Sequence, residues 1–593
     1  MITLGINAAY HDSAAALVVD GRVVAAAEEE RFTRIKHAKR PVPFSAWELP
    51  YHAIDFCLAT AGVTLAEVDH VGYSFEPQRF IAGRLAGATI ALPLEPSERP
   101  DPAWENPWDP LFAAYVLNAP RQLADGAPHH LRHRFAGASP RGGPYRFHWL
   151  DHHLCHHASA FLAAPFERCA VLTLDGRGER ATTTYGVWCD GHYAPIGEVC
   201  MPHSLGLLYE RVTNHLGFLT SADEYKVMAL AAQGEPRLAT RLAHHVRVGS
   251  EGRYEIDPID LDTLAGPARA RGAPLEARHF DLAASLQQVL ETTALELARW
   301  LREASGERQL AMAGGVALNC VMNSALRDSG LFDSVWVQPA AGDAGTALGA
   351  ALWVDARERA EPGTAGMPLQ GGPVPLTRGG WRMDSALLGP AWNDAEIERH
   401  LRWAGLPYRR LAEPAAETAR LLAQGRIVGW FQHRMEYGPR ALGARSILAS
   451  PLDRSMQARL NELKDREDFR PVAPAVPEER LGDWFVPAAV NEGRSPFMLF
   501  VYDVRPESAL RIPAVCHRDG TARVQTVRAG DPTGLHALLH AFGALTGVPV
   551  LVNTSFNVRG EPIVCTPQDA LHAFCSTPVD ALVMGSCLLE KRP

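Results

Sequence analysis

Two stretches of this chain share one layout, and that recurrence constrains the fold more than any other feature. Ile2 to Ala8 is a short apolar run carrying Gly and Asn, Ser13 to Val19 is a second, and Val23 to Ala27 is a third. Between the last two, Asp20-Gly21 supplies the positive-φ residues of a tight hairpin turn. The layout returns at Val171 to Asp175, Thr182 to Trp188, Asp190-Gly191 and the strand after it. An offset of 170 residues superposes Leu4 on Leu174, Asp20 on Asp190 and Gly21 on Gly191. Two ordinary hairpins could coincide in this way, and so could the halves of a duplicated nucleotide-binding fold.

At 593 residues the chain has room for two or more domains, each with a core. No apolar run approaches bilayer length, and the start lacks the basic region and cleavage pattern of a signal peptide. The expectation is a cytoplasmic protein with no membrane partner. The ten cysteines are scattered and none forms a CxxC pair, so neither a disulfide framework nor a zinc ribbon is suggested. A formal charge of −9 argues against a polynucleotide partner held by bulk electrostatics.

Duplicated halves whose first hairpin loop faces phosphate resemble the actin-like sugar kinase and chaperone superfamily. Its remaining signatures can be sought downstream. Asp281 to Leu301 is apolar at a helical period, and a strand at Leu310 to Ala313 leads into AGGVALNCVMNSAL. Gly314 and Gly315, followed by a helix start at Asn319, suit close approach to an adenosine; a tight turn without a ligand reads the same way. Gly342-Asp343 opens another apolar helix. In DHHLCHHA, His152 and His156 share one helical face, as two ligands of a single metal must, although a capping or solvated cluster would have the same spacing. Carboxylates converging on the pair would favour the metal, and Asp175 and Asp343 are of the right kind.

Pro93 to Pro144 is too long for a plain connection and reads as a lid, a specificity insertion or a surface excursion built on Trp104 and Trp108. Residues 361–390 are rich in Gly and Pro and read as the interdomain crossing. A second domain begins near Asn393. It carries four polar runs beside apolar strands or helices, with Arg434, Arg440 and Arg445, then Lys464, Arg466 and Arg470, then Arg518 and Arg523, then Asn553, Ser555 and Asn557. Arginine forks, a lysine and side-chain donors at this density describe an anion-lined cleft. No GxxxxGK(S/T) loop exists, so the site is not of the Walker type.

EEERFTRIKH (28–37), HHLCH (152–156), TLDGRGE (173–179), EYKVMALAAQG (224–234), GGVALN (314–319), YGPRALGARSILA (437–449), FRPVAPAV (469–476) and NTSFNVRGEPIV (553–564) together resemble the O-carbamoyltransferases of nodulation-factor and antibiotic tailoring. The resemblance implies an α/β chain in two domains. Residues 1–380 would be a duplicated actin-like (ASKHA) domain with an acceptor-specificity insertion at 76–150, and 391–593 an α+β YrdC-like domain. The second would make O-carbamoyladenylate from ATP and carbamoyl phosphate, with Lys464 and Arg466 catalytic and Arg440, Arg445, Arg470, Arg523, Asn553, Ser555 and Asn557 binding. The first would bind the adenylate through Lys226, Gly314, Gly315, Asn319 and Gly342. It would hold a metal, expected to be Fe(II), on His152, His156, Asp175 and Asp343, with His153 and His157 pointing elsewhere. His11, in the loop AYHDSAA, would be the base that deprotonates a hydroxyl of a small-molecule acceptor. Mg(II) would accompany ATP, and a homodimer is left open. The resemblance leaves room for a tRNA threonylcarbamoyl-type enzyme. An actin-like ATPase or nucleotide sensor would leave the Lys464 to Asn557 set unexplained.

Overall fold

The computed structural model describes residues 1–38, 49–81, 109–125, 144–369, 372–490 and 493–591, so Trp104 and Trp108 lie outside the described residues. Both hairpins form where the Asp-Gly pairs call for them. Strands β1 (Ile2–Asn7), β2 (Ala14–Val19) and β3 (Arg22–Glu28) are followed by helix α1 (Tyr51–Ala61), β4 (His70–Tyr73) and β5 (Arg146–Trp149). Helix α2 (His152–Phe161) leads into β6 (Cys169–Leu174), β7 (Ala181–Cys189) and β8 (His192–Cys200). Then come β9 (Gln309–Ala313), β10 (Ser334–Val337), helix α3 (Ala344–Ala360) and the short β11 (Val374–Pro375).

One sheet plan appears twice. The first sheet runs β3-β2-β1-β4-β5, and the second runs β8-β7-β6-β9-β10 with β11 added beside β8. In each, the leading strand is antiparallel to its hairpin partner and parallel to the strand on its other side. The turns match too: φ is 47° and 74° at Asp20-Gly21, and 49° and 74° at Asp190-Gly191. Both pairs lie in the left-handed region a two-residue hairpin needs, so the recurrence in the sequence is a recurrence of structure.

Two compact units divide the chain. Met1–Gly206, Leu301–Ala317 and Trp336–Met383 form the first, and Leu207–Trp300, Leu318–Val335 and Asp384–Pro593 the second. Residues 207–300 and 318–335, which the sequence division puts with the N-terminal domain, thus group with the C-terminal residues. In the first unit α3 is buried from Ala344 through Glu358. A helix buried all round is a core element, and small residues let it seat deeply. A Cβ on Gly349 would stand 1.8 Å from the Cys155 carbonyl oxygen of α2, and one on Gly5 of β1 would stand 2.0 Å from that of Ala347.

The second unit holds a mixed eight-stranded sheet. Its elements are β12 (Arg409–Arg410), β13 (Val428–Phe431), β14 (Arg445–Ala449), helix α4 (Ser455–Leu463), β15 (Ala473–Pro477), β16 (Gln525–Val527), helix α5 (Leu535–Thr546), β17 (Leu551–Ser555), β18 (Ala581–Met584) and β19 (Cys587–Glu590). The strand order is β12-β19-β18-β13-β14-β17-β15-β16. Trp430, Leu448, Leu551 and Val583 from the sheet pack with Leu535, Leu538 and Phe542 of α5 to make its core.

Because α2 and α3 meet backbone to backbone, Gly349→Ala should destabilise the first unit by about 1–3 kcal/mol. Chemical denaturation of the first unit's transition reads the effect, and an unchanged midpoint would contradict the packing described.

Candidate metal centre and arginine cluster

The first site forms where three chain segments of the first unit end. Asp151 caps α2 by accepting a hydrogen bond from the Leu154 amide at 2.9 Å, which starts the helix one residue before the first ligand position. His152 and His156 then fall on one face. Asp175 follows β6 and Asp343 precedes α3. His152 Nε2 lies 3.6 Å from a carboxylate oxygen of each aspartate, and His156 Nε2 lies 3.9 Å from Asp175 and 3.8 Å from Asp343.

These separations are too long for hydrogen bonds. They are near the spacing of donors that share one ion at about 2.0–2.2 Å. All four residues are buried, and the Nε2 atoms of both histidines have no hydrogen-bond partner among the described residues. Orphaned buried nitrogens facing two buried carboxylates fit a divalent cation. The surroundings fix the donors: His152 Nδ1 faces the Ser74 carbonyl at 3.3 Å, leaving Nε2 as the lone-pair atom, and the Gly315 amide donates to Asp175 Oδ1 at 2.7 Å. Burial, followed by the neighbouring His152, pushes His156 down to about 3, so it is a neutral ligand. Burial opposes a proton on His152, but the negative charges of Asp343 and Asp175 outweigh it and hold this group well above its ordinary value.

The other two histidines of the run turn toward β7. His153 Nδ1 lies 3.1 Å from the Thr184 hydroxyl, and His157 Nδ1 lies 2.6 Å from the Tyr193 hydroxyl. His11 comes from the β1–β2 loop, with Nε2 3.7 Å from Asp343 Oδ2 and Nδ1 2.9 Å from Asp12 Oδ2. Tyr10 and Asp12, on either side of it, adopt positive φ of 54° and 52°, strain of the kind that collects at functional loops.

Three residues here escaped the sequence reading. Asp12 orients His11, and its other oxygen meets His37 Nδ1 at 2.8 Å. Glu30 accepts from the His37 amide at 2.6 Å, so the EEERFTRIKH segment buttresses the His11 loop. Glu179 accepts from the His152 amide at 3.0 Å, and burial raises it to about 8. The position of Asp12 beside His11 and of Glu179 within DGRGE were the available signals.

The glycines assigned to the adenylate serve the same architecture. Gly314 has φ of 94°, and a Cβ there would stand 2.2 Å from the Leu174 carbonyl oxygen. Gly342 precedes Asp343 and accepts from the Gly345 amide at 3.0 Å. Gly314, Gly315 and Gly342 belong to the first unit, whereas Lys226 and Asn319 belong to the second. Lys226 ion-pairs with Glu467 at 2.9 Å, directly after Arg466, and Asn319 caps the helix Cys320–Asp328 and bonds Gln287.

The second site is built at the end of α4. Asp465 takes a left-handed φ of 44° between Lys464 and Arg466. Lys464 Nζ donates to the Ser555 hydroxyl at 2.9 Å and to Asn557 Oδ1 at 2.8 Å, while Arg466 Nε donates to Asn461 at 2.6 Å. Arg440, Arg466, Arg470 and Arg523 crowd one another. Burial and the neighbouring guanidiniums push Arg440 and Arg466 down to about 9, and burial also lowers Arg523. Arg440 Nε and Arg466 Nη2 are buried without a partner among the described residues. Arg470 lies 4.6 Å over the Tyr225 ring and 3.8 Å from Glu467. Asn553 is buried, donates to Gln525 at 2.7 Å and has a free Oδ1. So much positive charge with so little carboxylate suits an anion.

Arg445 does not join this group. Fully buried on β14, it stacks 3.7 Å over Phe431 and donates to the carbonyls of Gln432, His433, Ala444 and Pro390. Its two terminal nitrogens donate to backbone carbonyls and only Nε lacks a partner among the described residues, which makes it a structural arginine.

Family models described as "Carbamoyltransferase N-terminus" and "Carbamoyltransferase C-terminus" match residues 2–85 with 146–352, and 419–591. An uncharacterized protein of Synechocystis is 38% identical over 99% of this chain and 96% of its own length. Nodulation protein NolNO of Sinorhizobium fredii is 37% identical over 99% of this chain and 80% of its own. Nodulation protein NolO of Bradyrhizobium diazoefficiens is 38% identical over 75% of this chain and 79% of its own.

Two outcomes follow from the geometry. Elemental analysis of His152→Ala and Asp343→Ala should show loss of the metal bound by the parent protein, and full occupancy would refute the ligand set. Arg523→Ala should leave thermal stability unchanged or raised while weakening carbamoyl phosphate binding, whereas Arg445→Met should lower stability by about 3 kcal/mol or more as it takes a donor from each of four carbonyls.

Proposed function

The chain belongs to the carbamoyltransferase family, and from that premise we propose that it is an ATP-dependent O-carbamoyltransferase working on a hydroxyl of a small molecule. The observation that carries this reading is the pairing, in one chain, of an anion site rich in uncompensated arginine with a buried two-histidine, two-aspartate centre that has His11 beside it. The first suits activation of a carbamoyl group by ATP, and the second suits its transfer.

In the activating half-reaction, carbamoyl phosphate and water give carbamate and phosphate. Carbamate oxygen then attacks the α-phosphorus of ATP, forming O-carbamoyladenylate and expelling pyrophosphate. Arg440, Arg466, Arg470 and Arg523 offset the repulsion between the two anionic substrates, and the Lys464 ammonium neutralises charge on the pentavalent phosphorus. Mg(II) accompanies the ATP. This half is assigned to the YrdC-like C-terminal residues 391–593, whose Lys464-Asp465-Arg466 and Ser555-Phe556-Asn557 stretches meet through Lys464.

In the transferring half-reaction, the actin-like residues 1–380 receive the adenylate. His152, His156, Asp175 and Asp343 would hold the metal, and two imidazoles with two carboxylates suit Fe(II). When bound it supplies Lewis acidity toward the carbamoyl and phosphate oxygens. Asp12 holds the Nδ1–H of His11, so Nε2 is the basic nitrogen. His11 removes the proton of the acceptor hydroxyl, the hydroxyl oxygen bonds to the carbamoyl carbon, and AMP leaves. Water is kept out by burial, since the adenylate would otherwise hydrolyse. The insertion at 76–150, of which neither family model matches 86–145, is assigned to recognition of the acceptor.

His11→Asn should lower carbamoyl transfer by about 10²–10⁴-fold while carbamoyl phosphate-dependent release of pyrophosphate from ATP continues. Lys464→Ala should stop pyrophosphate release, yet still transfer the group from synthetic carbamoyladenylate. Loss of both half-reactions in either variant would overturn the division of roles.

A further inference from the structure

Beyond the centre on His152, the first unit holds a second group of metal donors that the carbamoyl chemistry does not use. His70 lies on β4, His148 on β5 and Glu358 in the last turn of α3. The strands pair in parallel with Gly72 opposite His148 and His70 opposite Arg146. Side chains alternate along a strand, so His70, Gly72 and His148 share one face. A Cβ on Gly72 would stand 3.0 Å from the Ala350 carbonyl oxygen and 3.1 Å from Val354, so that face is covered by α3. His70 Nδ1 lies 3.0 Å from His148 Nε2, and the two rings stack with centroids 5.2 Å apart. Nitrogens bound to one tetrahedral zinc at about 2.0–2.1 Å stand about 3.3 Å apart. Glu358 completes the group, with the three donor atoms within 4.8 Å of one another.

Three features distinguish this trio from a chance hydrogen bond between histidines. The Glu358 carboxylate is already oriented: its oxygens accept from the Gly363 amide at 2.7 Å and the Ala365 amide at 3.0 Å, the kind of outer support that ligating carboxylates have. Both imidazoles favour the neutral form a metal requires, His148 being pushed down to about 4 by burial and by His70. The trio also sits at the C-terminal end of α3, where exposed carbonyls favour a cation. Residues 361–363, which carry one of the two amides, are exposed, which gives a route for an ion.

We propose that His70, His148 and Glu358 form a second metal site, selective for a zinc-type divalent cation and separate from the His152 centre. Three protein donors would leave one position for water. The ion would tie the β4–β5 edge to α3, the helix that presents Asp343 at its other end.

The experiment titrates the metal-stripped full chain with zinc(II) against a chromophoric chelator. It is done in a His37→Ala, His540→Ala background so that the Asp12, Glu30 and His37 group and the exposed Glu479, His536 and His540 group take no part. His152→Ala removes the other centre and should leave one tight equivalent. Adding His148→Ala should abolish that equivalent. Glu358→Gln, which preserves size, should weaken it at least tenfold and guards against a misfolded histidine variant. Cobalt(II) in the His152→Ala protein should give the visible absorption of four-coordinate cobalt, lost in His148→Ala. An equivalent that survives both His148→Ala and Glu358→Gln, or no tight equivalent in His152→Ala, overturns the proposal.

Discussion

Two buried carboxylates, Asp175 and Asp343, face two buried imidazoles across gaps of 3.6 to 3.9 Å, too long for hydrogen bonds, and the first unit is arranged around that unresolved charge. An ionised carboxylate out of water is costly unless it is paired or coordinates a cation. The fold commits heavily to keeping both in place. Asp175 is held by the Gly315 amide, which the left-handed turn at Gly314 brings back over β6. Asp343 is delivered by α3, whose seat depends on Gly349 lying against the Cys155 carbonyl. That contact also fixes α2 and therefore His152 and His156. The duplicated sheet plan explains why such distant segments converge: the loops after equivalent strands open at the same edge.

The second unit meets the opposite problem. Arg440, Arg466, Arg470 and Arg523 repel one another in partial burial, and Glu467 is shared with Lys226. Such a cluster is an energetic liability that a polyanionic substrate would relieve, so substrate binding and local stability are coupled. Arg445 shows the contrast within one strand region. It is more deeply buried than its neighbours, yet four carbonyls engage its terminal nitrogens and the Phe431 ring stacks on it. The two units thus hold complementary excesses, acidic in one and basic in the other.

Much of this was legible in the sequence because it is local. Asp-Gly pairs demand left-handed turns, so the two hairpins and their recurrence could be read directly. The i, i+4 spacing fits His152 with His156 and His153 with His157 alike, so it showed a shared helical face, and the family resemblance chose the first pair. What was not legible depends on tertiary grouping. Lys226 and Asn319 follow the first half in the chain but fold with the second unit. Arg445 and Arg440 look equivalent in YGPRALGARS, and only packing shows that one faces carbonyls and the other faces arginines. Glu179 accepts from the Glu76 and His152 amides and Asp12 meets the His11 and His37 rings, roles that leave no spacing to detect.

In the proposed function, activation and transfer are separate chemistries of the two sites. The most direct test is exchange of labelled pyrophosphate into ATP, driven by carbamoyl phosphate, in His152→Ala protein without any acceptor. Exchange close to the parent rate is predicted, because the arginine site alone should make and reverse the adenylate. Loss of exchange in that variant, with its fold intact, would contradict the account.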